Sequence, residues 1–260
     1  MYMLRDLKMS RAATINDIFR EYAGFYIQKH PEISLHKRKV ISSIQNCRTE
    51  ALGGRVEECD SCEHSVIFYN SCRNRHCPQC QSMKKEKWIL ERKNEVLPFT
   101  YFHIVFTLPD SLNSIVIRNK RVVYNLMFDV SRETLLSVSA DEKYFGADIG
   151  FFSILHTWGQ KLNLHPHLHC VVPGGGYSEK KQKWIYAPNN YFVPVEVLKR
   201  RYRSLFLQGL KKLYREKNLY LHGTEYTDAV KFQKMIDSLF AAQWVVYLKE
   251  SFQGRESVIE

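Results

Sequence analysis

Two groups of residues in this chain have types and spacings that could do chemistry. The first is the stretch "HPHLHCVVPGGGY", which carries His165, His167 and His169 at alternate positions. On a strand, residues two apart point to one side. His167 and His169 are therefore expected to project together while Leu168 faces a core, and two adjacent imidazoles make a metal-binding pair. His165 shares their parity, but Pro166 can bend the chain between them. A third ligand is needed to hold an ion. Gln160, His165 and His156 are the candidates, in no firm order; in a nuclease His156 is read as supporting the fold or the ligands.

The second group is a cysteine cluster. Six of the seven cysteines fall between Cys47 and Cys80. "CDSC" (Cys59, Cys62) and "CPQC" (Cys77, Cys80) are two Cys-x-x-Cys knuckles separated by 14 residues. Two such knuckles complete a tetrahedral four-thiolate zinc site. That site leaves no position for water, so the zinc is expected to be architectural and to fix a domain with little core of its own. One zinc is the favoured reading. Cys47 and Cys72 are then small buried residues, and His64 and His76 polar surface; a second zinc using some of these four is the alternative. Arg73, Arg75, Lys84 and Lys85 surround the second knuckle and are expected to contact DNA.

The elements that must position these groups can be read from periodicity. Residues 11–46 are expected to be largely helical, with Ile15, Ile18, Phe19, Tyr22 and Tyr26 at helical spacing and Asn16 or Asp17 near the cap. Residues 83–96 form a charged helix that Pro98 ends. "YFHIVFTLP" is a β-rich run stopped by Pro109. Residues 112–137, 194–217 and 228–242 are expected helices. On the second of these Leu198, Tyr202, Leu205, Phe206, Leu210 and Leu213 make one face. Phe232, Ile236, Leu239 and Phe240 do so on the third. A hairpin is expected around the Gly/Ser/Lys-rich connection after His169, a strand at "QWVVYLK", and a helix starting at "GRESVIE". Strands and helices alternate irregularly, so the class is α+β, with a domain boundary near residue 96: a helical, Cys-rich domain over 1–96 and a second domain over 97–260.

Composition narrows the partners. The net charge of +11 points to a polyanion. No apolar run approaches a membrane span and the amino terminus lacks a secretory core, so a cytoplasmic, reducing setting without membrane association is expected. In such a setting clustered cysteines read as metal ligands and not disulfides. Among hydrolases, the lactamase type would want Asp-His after the His-x-His, whereas Cys170 and Val171 follow here.

With both clusters in view, the chain resembles the rolling-circle insertion-sequence transposases of the His-hydrophobic-His, two-tyrosine class. The matching stretches are "CRTEALGGRVEECDSC", "NSCRNRHCPQCQ", "HIVFTLP" and "LHTWGQKLNLHPHLHCVVPGGG", in the family's order. The resemblance implies a ferredoxin-like nuclease core with His167 and His169 on a central strand, holding Mg²⁺ or Mn²⁺. It also implies single-strand cleavage and joining at the single-stranded or hairpin DNA ends of a mobile element, through a tyrosine ester, by a nucleoid-associated bacterial-type protein. The family's Tyr-x-x-x-Tyr helix is expected beyond Glu260, so this chain is expected to bind DNA without nicking it. Tyr22 and Tyr26 have the right spacing but fit a packed helix face, and Tyr247 is expected to pack in the core or at an edge. The alternatives are a catalytically dead zinc-containing DNA-binding protein and a small-molecule metallo-hydrolase.

Overall fold

A computed structural model describes residues 13–62, 64–96, 100–187 and 193–252. The chain divides into two compact units, Met1–Glu95 and Val96–Glu260.

The amino-terminal unit holds helices α1 (Ile15–Lys29) and α2 (Leu35–Gln45), a hairpin of β1 (Gly54–Glu58) and β2 (Ser65–Tyr69), and helix α3 (Pro78–Glu95). Thr14 is the N-cap of α1: the Asp17 N–H donates to its hydroxyl, and the Asp17 carboxylate accepts from the Thr14 N–H at 2.7 Å. This reciprocal box satisfies two orphan donors at once. Asn16 is therefore not the cap. It is fully buried, and its amide donates to the Ile44 carbonyl at 2.7 Å. The core here is small, with Ile44, Cys47 and Cys77 buried beside Phe19 and Val40. A unit with so little buried apolar surface needs another source of stability.

The carboxy-terminal unit runs β3 (Tyr101–Thr107), α4 (Asn113–Arg118), α5 (Lys120–Ala140), β4 (Phe152–Trp158), β5 (Leu164–Pro173), the small hairpin β6 (Gly175–Ser178) and β7 (Lys183–Tyr186), α6 (Val195–Arg215), α7 (Ala229–Ala241) and β8 (Val246–Phe252). The main sheet has the order β4-β5-β3-β8, every pair antiparallel. Setting the small hairpin aside, this is a βαββαβ chain whose first and third strands lie in the centre. That is the ferredoxin-like arrangement, and it agrees with the α+β class expected from sequence. The expected helix at "GRESVIE" lies outside the described residues.

Strand alternation explains which face is covered. Phe102, Ile104 and Phe106 of β3 and Leu168, Cys170 and Val172 of β5 are fully buried. They share a core with Leu198, Tyr202, Phe206 and Leu210 of α6, and with Phe232, Ile236 and Leu239 of α7. Each such side chain contributes about 1.5–3 kcal/mol by leaving water. Phe240 of α7 is 58% exposed, with the Arg203 guanidinium 4.6 Å from its ring centre. The glycine run after β5 has a packing reason: a Cβ on Gly175 would strike the Trp184 indole across the small hairpin, and one on Gly176 the Asp148 carbonyl. The opposite face of the sheet carries the alternate residues, the histidines among them.

Candidate metal centres

On β5, His167 lies opposite Thr107 of β3 and His156 of β4, while His169 lies opposite Val105 and Ile154. Residues opposite one another in a sheet share a face. His156, His167 and His169 accordingly meet on the side away from the core. Their rings lie 5.4 Å (His156–His167), 4.4 Å (His156–His169) and 4.8 Å (His167–His169) apart by centroid. One nitrogen from each falls within 4.8 Å of the others.

Hydrogen bonds set which nitrogens are available. His167 Nδ1 is 2.7 Å from the His165 carbonyl oxygen, which can only accept, so Nδ1 carries the proton and Nε2 keeps a lone pair. His169 Nδ1 is 2.7 Å from His103 Nε2. His169 Nε2 is buried and has no hydrogen-bond partner. A buried, unpartnered imidazole nitrogen facing two further imidazoles is what a metal ligand looks like before its ion. Burial first, and then the neighbouring His156, His103 and His167, pull the His169 pKa down to about 4. Burial also lowers His156, with His167 adding to it. Both rings are thus kept neutral at physiological pH, the state a metal needs.

Of the three candidate third ligands, the structure brings His156 to the pair. The His165 ring lies 5.4 Å from that of His167 by centroid, but its Nδ1 is 3.3 Å from the Asp110 carboxylate and it is not among the histidines whose nitrogens converge. Gln160 lies exposed in the turn after β4. The β4–β5 register, which places His156 opposite His167, is what brings it there. Trp158 stacks on His156 at 5.2 Å and is 51% exposed. Of the two expectations for Tyr247, the edge holds, since β8 is an outer strand of the sheet. It pairs with Val105, which puts it on the histidine face, and it is 54% exposed.

The cysteines are regrouped as well. Cys77 and Cys80 come together with Cys47 and Cys72, all four sulfurs lying within 4.8 Å of one another. The Cys47–Cys80 and Cys72–Cys80 sulfurs are 3.5 and 3.6 Å apart. Thiolates around a tetrahedral zinc stand about 3.8 Å apart, from Zn–S bonds near 2.3 Å. Those two separations are within tenths of an ångström of that value, and the four sulfurs as a group are close enough for a tetrahedral ion. Cys59 and Cys62 are not brought to it. They are exposed in the turn joining β1 to β2, where the Cys59 N–H donates to the His64 carbonyl. The ladder between that turn and the hairpin's base spans five residue pairs, or about 14 Å at the usual rise per residue. Cys47 and Cys72 flank the base, which is why they, and not the tip, meet the second knuckle.

The cage is electrostatically uneven. Burial pushes the Cys72 thiol up to about 12 and also raises Cys47. Burial acts the same way on Cys77, but the Cys80 N–H and the side chains of Asn16, Cys47 and Cys72 outweigh it and bring Cys77 to about 7. The Asn16 amide lies 3.6 Å from the Cys77 sulfur. A zinc ion would supply the charge that lets all four thiols ionise.

The predicted DNA contacts Arg73, Arg75, Lys84 and Lys85 are all exposed. Lys84 and Lys85 lie on α3, and Arg75 Nε donates to His76 Nε2 at 3.2 Å.

Two family models match this chain: "Transposase zinc-binding domain" over residues 18–108 and "Putative transposase" over residues 150–260. Both matched stretches, one in each half of the chain, are thus similar to transposase domains. It is 45% identical to "Putative transposase y4qJ" of Sinorhizobium fredii over 95% of its own length. It is 32% identical over 60% of its length to "Transposase for insertion sequence element IS801" of Pseudomonas savastanoi pv. phaseolicola. It spans 62% and 40% of the lengths of those two relatives. Among solved structures it is similar, at a TM-score of 0.33 and 17% identity, to the conjugative relaxase TrwC in complex with oriT DNA, covering 43% of this chain and 44% of that one. A metal-bound TrwC structure with oriT DNA matches at the same TM-score and 12% identity, over 62% and 68%. The fold assignment stands on strand order and does not depend on that likeness. Among the described residues no helix is long and apolar enough to cross a membrane.

Proposed function

We propose that this chain is the DNA-holding and metal-holding part of a rolling-circle transposase, acting on single-stranded or hairpin DNA. The observation that carries the reading is the triad of His156, His167 and His169 on the open face of a ferredoxin-like sheet, with His169 Nε2 buried and unpartnered. These three residues would hold a divalent ion, which when bound polarises a phosphodiester and stabilises charge developing on it. Three imidazoles favour a first-row transition ion over Mg²⁺; of the Mg²⁺ or Mn²⁺ that the resemblance implies, Mn²⁺ is therefore the probe used.

The protein's own groups do the positioning. The His165 carbonyl fixes the tautomer of His167. His103 accepts from His169 Nδ1 and thereby aims Nε2 at the ion. Trp158 and Tyr247, exposed on the same face, offer ring surfaces on which bases can stack. The open face suits a polymer crossing it, where a small-molecule hydrolase would enclose its substrate. In the amino-terminal unit, the cage of Cys47, Cys72, Cys77 and Cys80 would hold a structural zinc, and Arg73, Arg75, Lys84 and Lys85 would contact DNA phosphates. Cleavage and joining by a tyrosine nucleophile belong to this reading as the reaction of the family's complete proteins.

The test is binding of a fluorescein-labelled single strand or hairpin with and without Mn²⁺. Tighter binding with Mn²⁺ is expected in the wild type and not in His167→Ala/His169→Ala. Equal Mn²⁺ response in both proteins would remove the metal site and leave the second reading, a zinc-containing DNA-binding protein without catalysis.

A further inference from the structure

In the amino-terminal unit, Arg48 follows the cage residue Cys47 and Arg73 follows the cage residue Cys72. Both arginines adopt left-handed backbone, with φ of 57° and 53°. Only a few per cent of non-glycine residues do so. The loops that hold them there are tied to the base of the hairpin. The Arg48 N–H donates to the Asn70 carbonyl at 3.0 Å, the Asn70 N–H to the Gly53 carbonyl at 3.0 Å, and the Asn70 side chain to the Leu52 carbonyl at 3.0 Å.

The two arginines line one concavity of about 760 Å³ together with Arg55, Phe68 and Tyr69. Phe68 and Tyr69 are 44% and 42% exposed. Neither face of the hairpin is buried. Arg55 lies 5.3 Å from the Phe68 ring centre, and Glu57 partly neutralises it at 2.6 Å. Among the described residues, Arg48 and Arg73 make no ion pair. The nearby acids lie to the sides: Glu57, Glu58 and Asp60 towards the hairpin tip, and Glu50 in the neighbouring depression that Arg48 also borders. Positive charge is thus concentrated at the base of the hairpin, beside two exposed aromatic rings.

We infer that this concavity binds one unpaired nucleotide of DNA, its phosphate held by Arg48 and Arg73 and its base against Phe68. Guanidinium forks match phosphate oxygens, and aromatic rings accept any base by stacking. Two exposed arginines beside two exposed rings suit a flexible single strand, because in a duplex the base faces are stacked out of reach. Because each arginine is the next residue after a cage thiol, zinc in the cage would fix the spacing between them. The inference rests on the DNA-binding reading of this chain but not on its histidine centre.

The test uses the zinc-loaded full chain, with fluorescence anisotropy of a labelled single strand, the same strand carrying an abasic position, and the matching duplex. Arg48→Gln/Arg73→Gln is expected to keep its zinc and to lower the slope of log K against log[salt] by about 0.7, the loss of one phosphate contact on a single strand. Phe68→Ala is expected to weaken single-strand binding about tenfold with the slope unchanged, and Phe68→Tyr to restore it. Duplex affinity should change little, and inorganic phosphate should not displace the strand. His167→Ala/His169→Ala should leave these effects intact, which separates this surface from the metal centre. A zinc-loaded double arginine variant with wild-type slope and affinity would overturn the inference. So would displacement by phosphate alone, or equal binding of intact and abasic strands.

Discussion

Replacing Cys47 and Cys72 should cost the amino-terminal unit its zinc and its fold, whereas replacing Cys59 and Cys62 should not. The four cage sulfurs already lie within 4.8 Å of one another, two pairs at 3.5 and 3.6 Å. Joining Cys59 and Cys62 to Cys77 and Cys80 would instead require the tip of the hairpin to travel on the order of 10 Å, breaking a ladder set by strand rise. Structural zinc contributes about 10–16 kcal/mol in small domains, against total stabilities of about 5–15 kcal/mol. A unit whose buried apolar core is as small as this one has nothing else of that size to fall back on. Zinc released under denaturation is to be counted in a His167→Ala/His169→Ala background, so that the count reports the cage alone, and melting is to be followed by circular dichroism. The expected result is one zinc per chain for Cys59→Ser/Cys62→Ser with near-parental melting, and zinc loss with collapse of helical signal for Cys47→Ser or Cys72→Ser. Retention of zinc by Cys47→Ser/Cys72→Ser, with loss in the other pair, would refute the reasoning.

His103→Ala should lower Mn²⁺ affinity about 10- to 100-fold without unfolding the sheet, since it removes only the partner of His169 Nδ1; calorimetric titration reads this directly. Trp158→Ala and Tyr247→Ala should each weaken single-strand binding by about 1–3 kcal/mol by anisotropy. In the metal-free protein, stability should fall as pH drops from about 6.5 towards 4. The folded His169 is held neutral down to about 4, so across that window the unfolded chain binds more protons and gains; urea titrations at a series of pH values check the slope. Thr14→Ala should destabilise α1 by about 1 kcal/mol through loss of its capping box, read as a shift in urea midpoint.

Much of the carboxy-terminal unit was legible in the sequence because period and composition agree there. The β-rich run at Tyr101–Thr107, the apolar stripe of α6 and the strand parity of His167 and His169 are all local signals, and each led to an element now seen. What was not legible depended on contacts distant along the chain. His156 is recognisable as a ligand only once β4 is known to pair with β5 in that register. The grouping of the cysteines differs from the local pattern for a similar reason. Two Cys-x-x-Cys knuckles are the stronger local pattern, but a hairpin between Cys47 and Cys72 carries Cys59 and Cys62 to its far end and leaves the two apparently ordinary cysteines at its base. Phe240, named with Phe232, Ile236 and Leu239 on the expected helix, lies past the covered side and meets Arg203.

The most direct test of the whole account is the number of imidazole nitrogens bound to one Mn²⁺ ion, read by electron spin echo envelope modulation on the protein and its His156→Ala variant. The account expects a single bound ion coupled to three imidazoles in the wild type and to two, with weaker binding, in the variant. An ion bound with the same couplings and affinity in both proteins, or no bound ion at all, would contradict it.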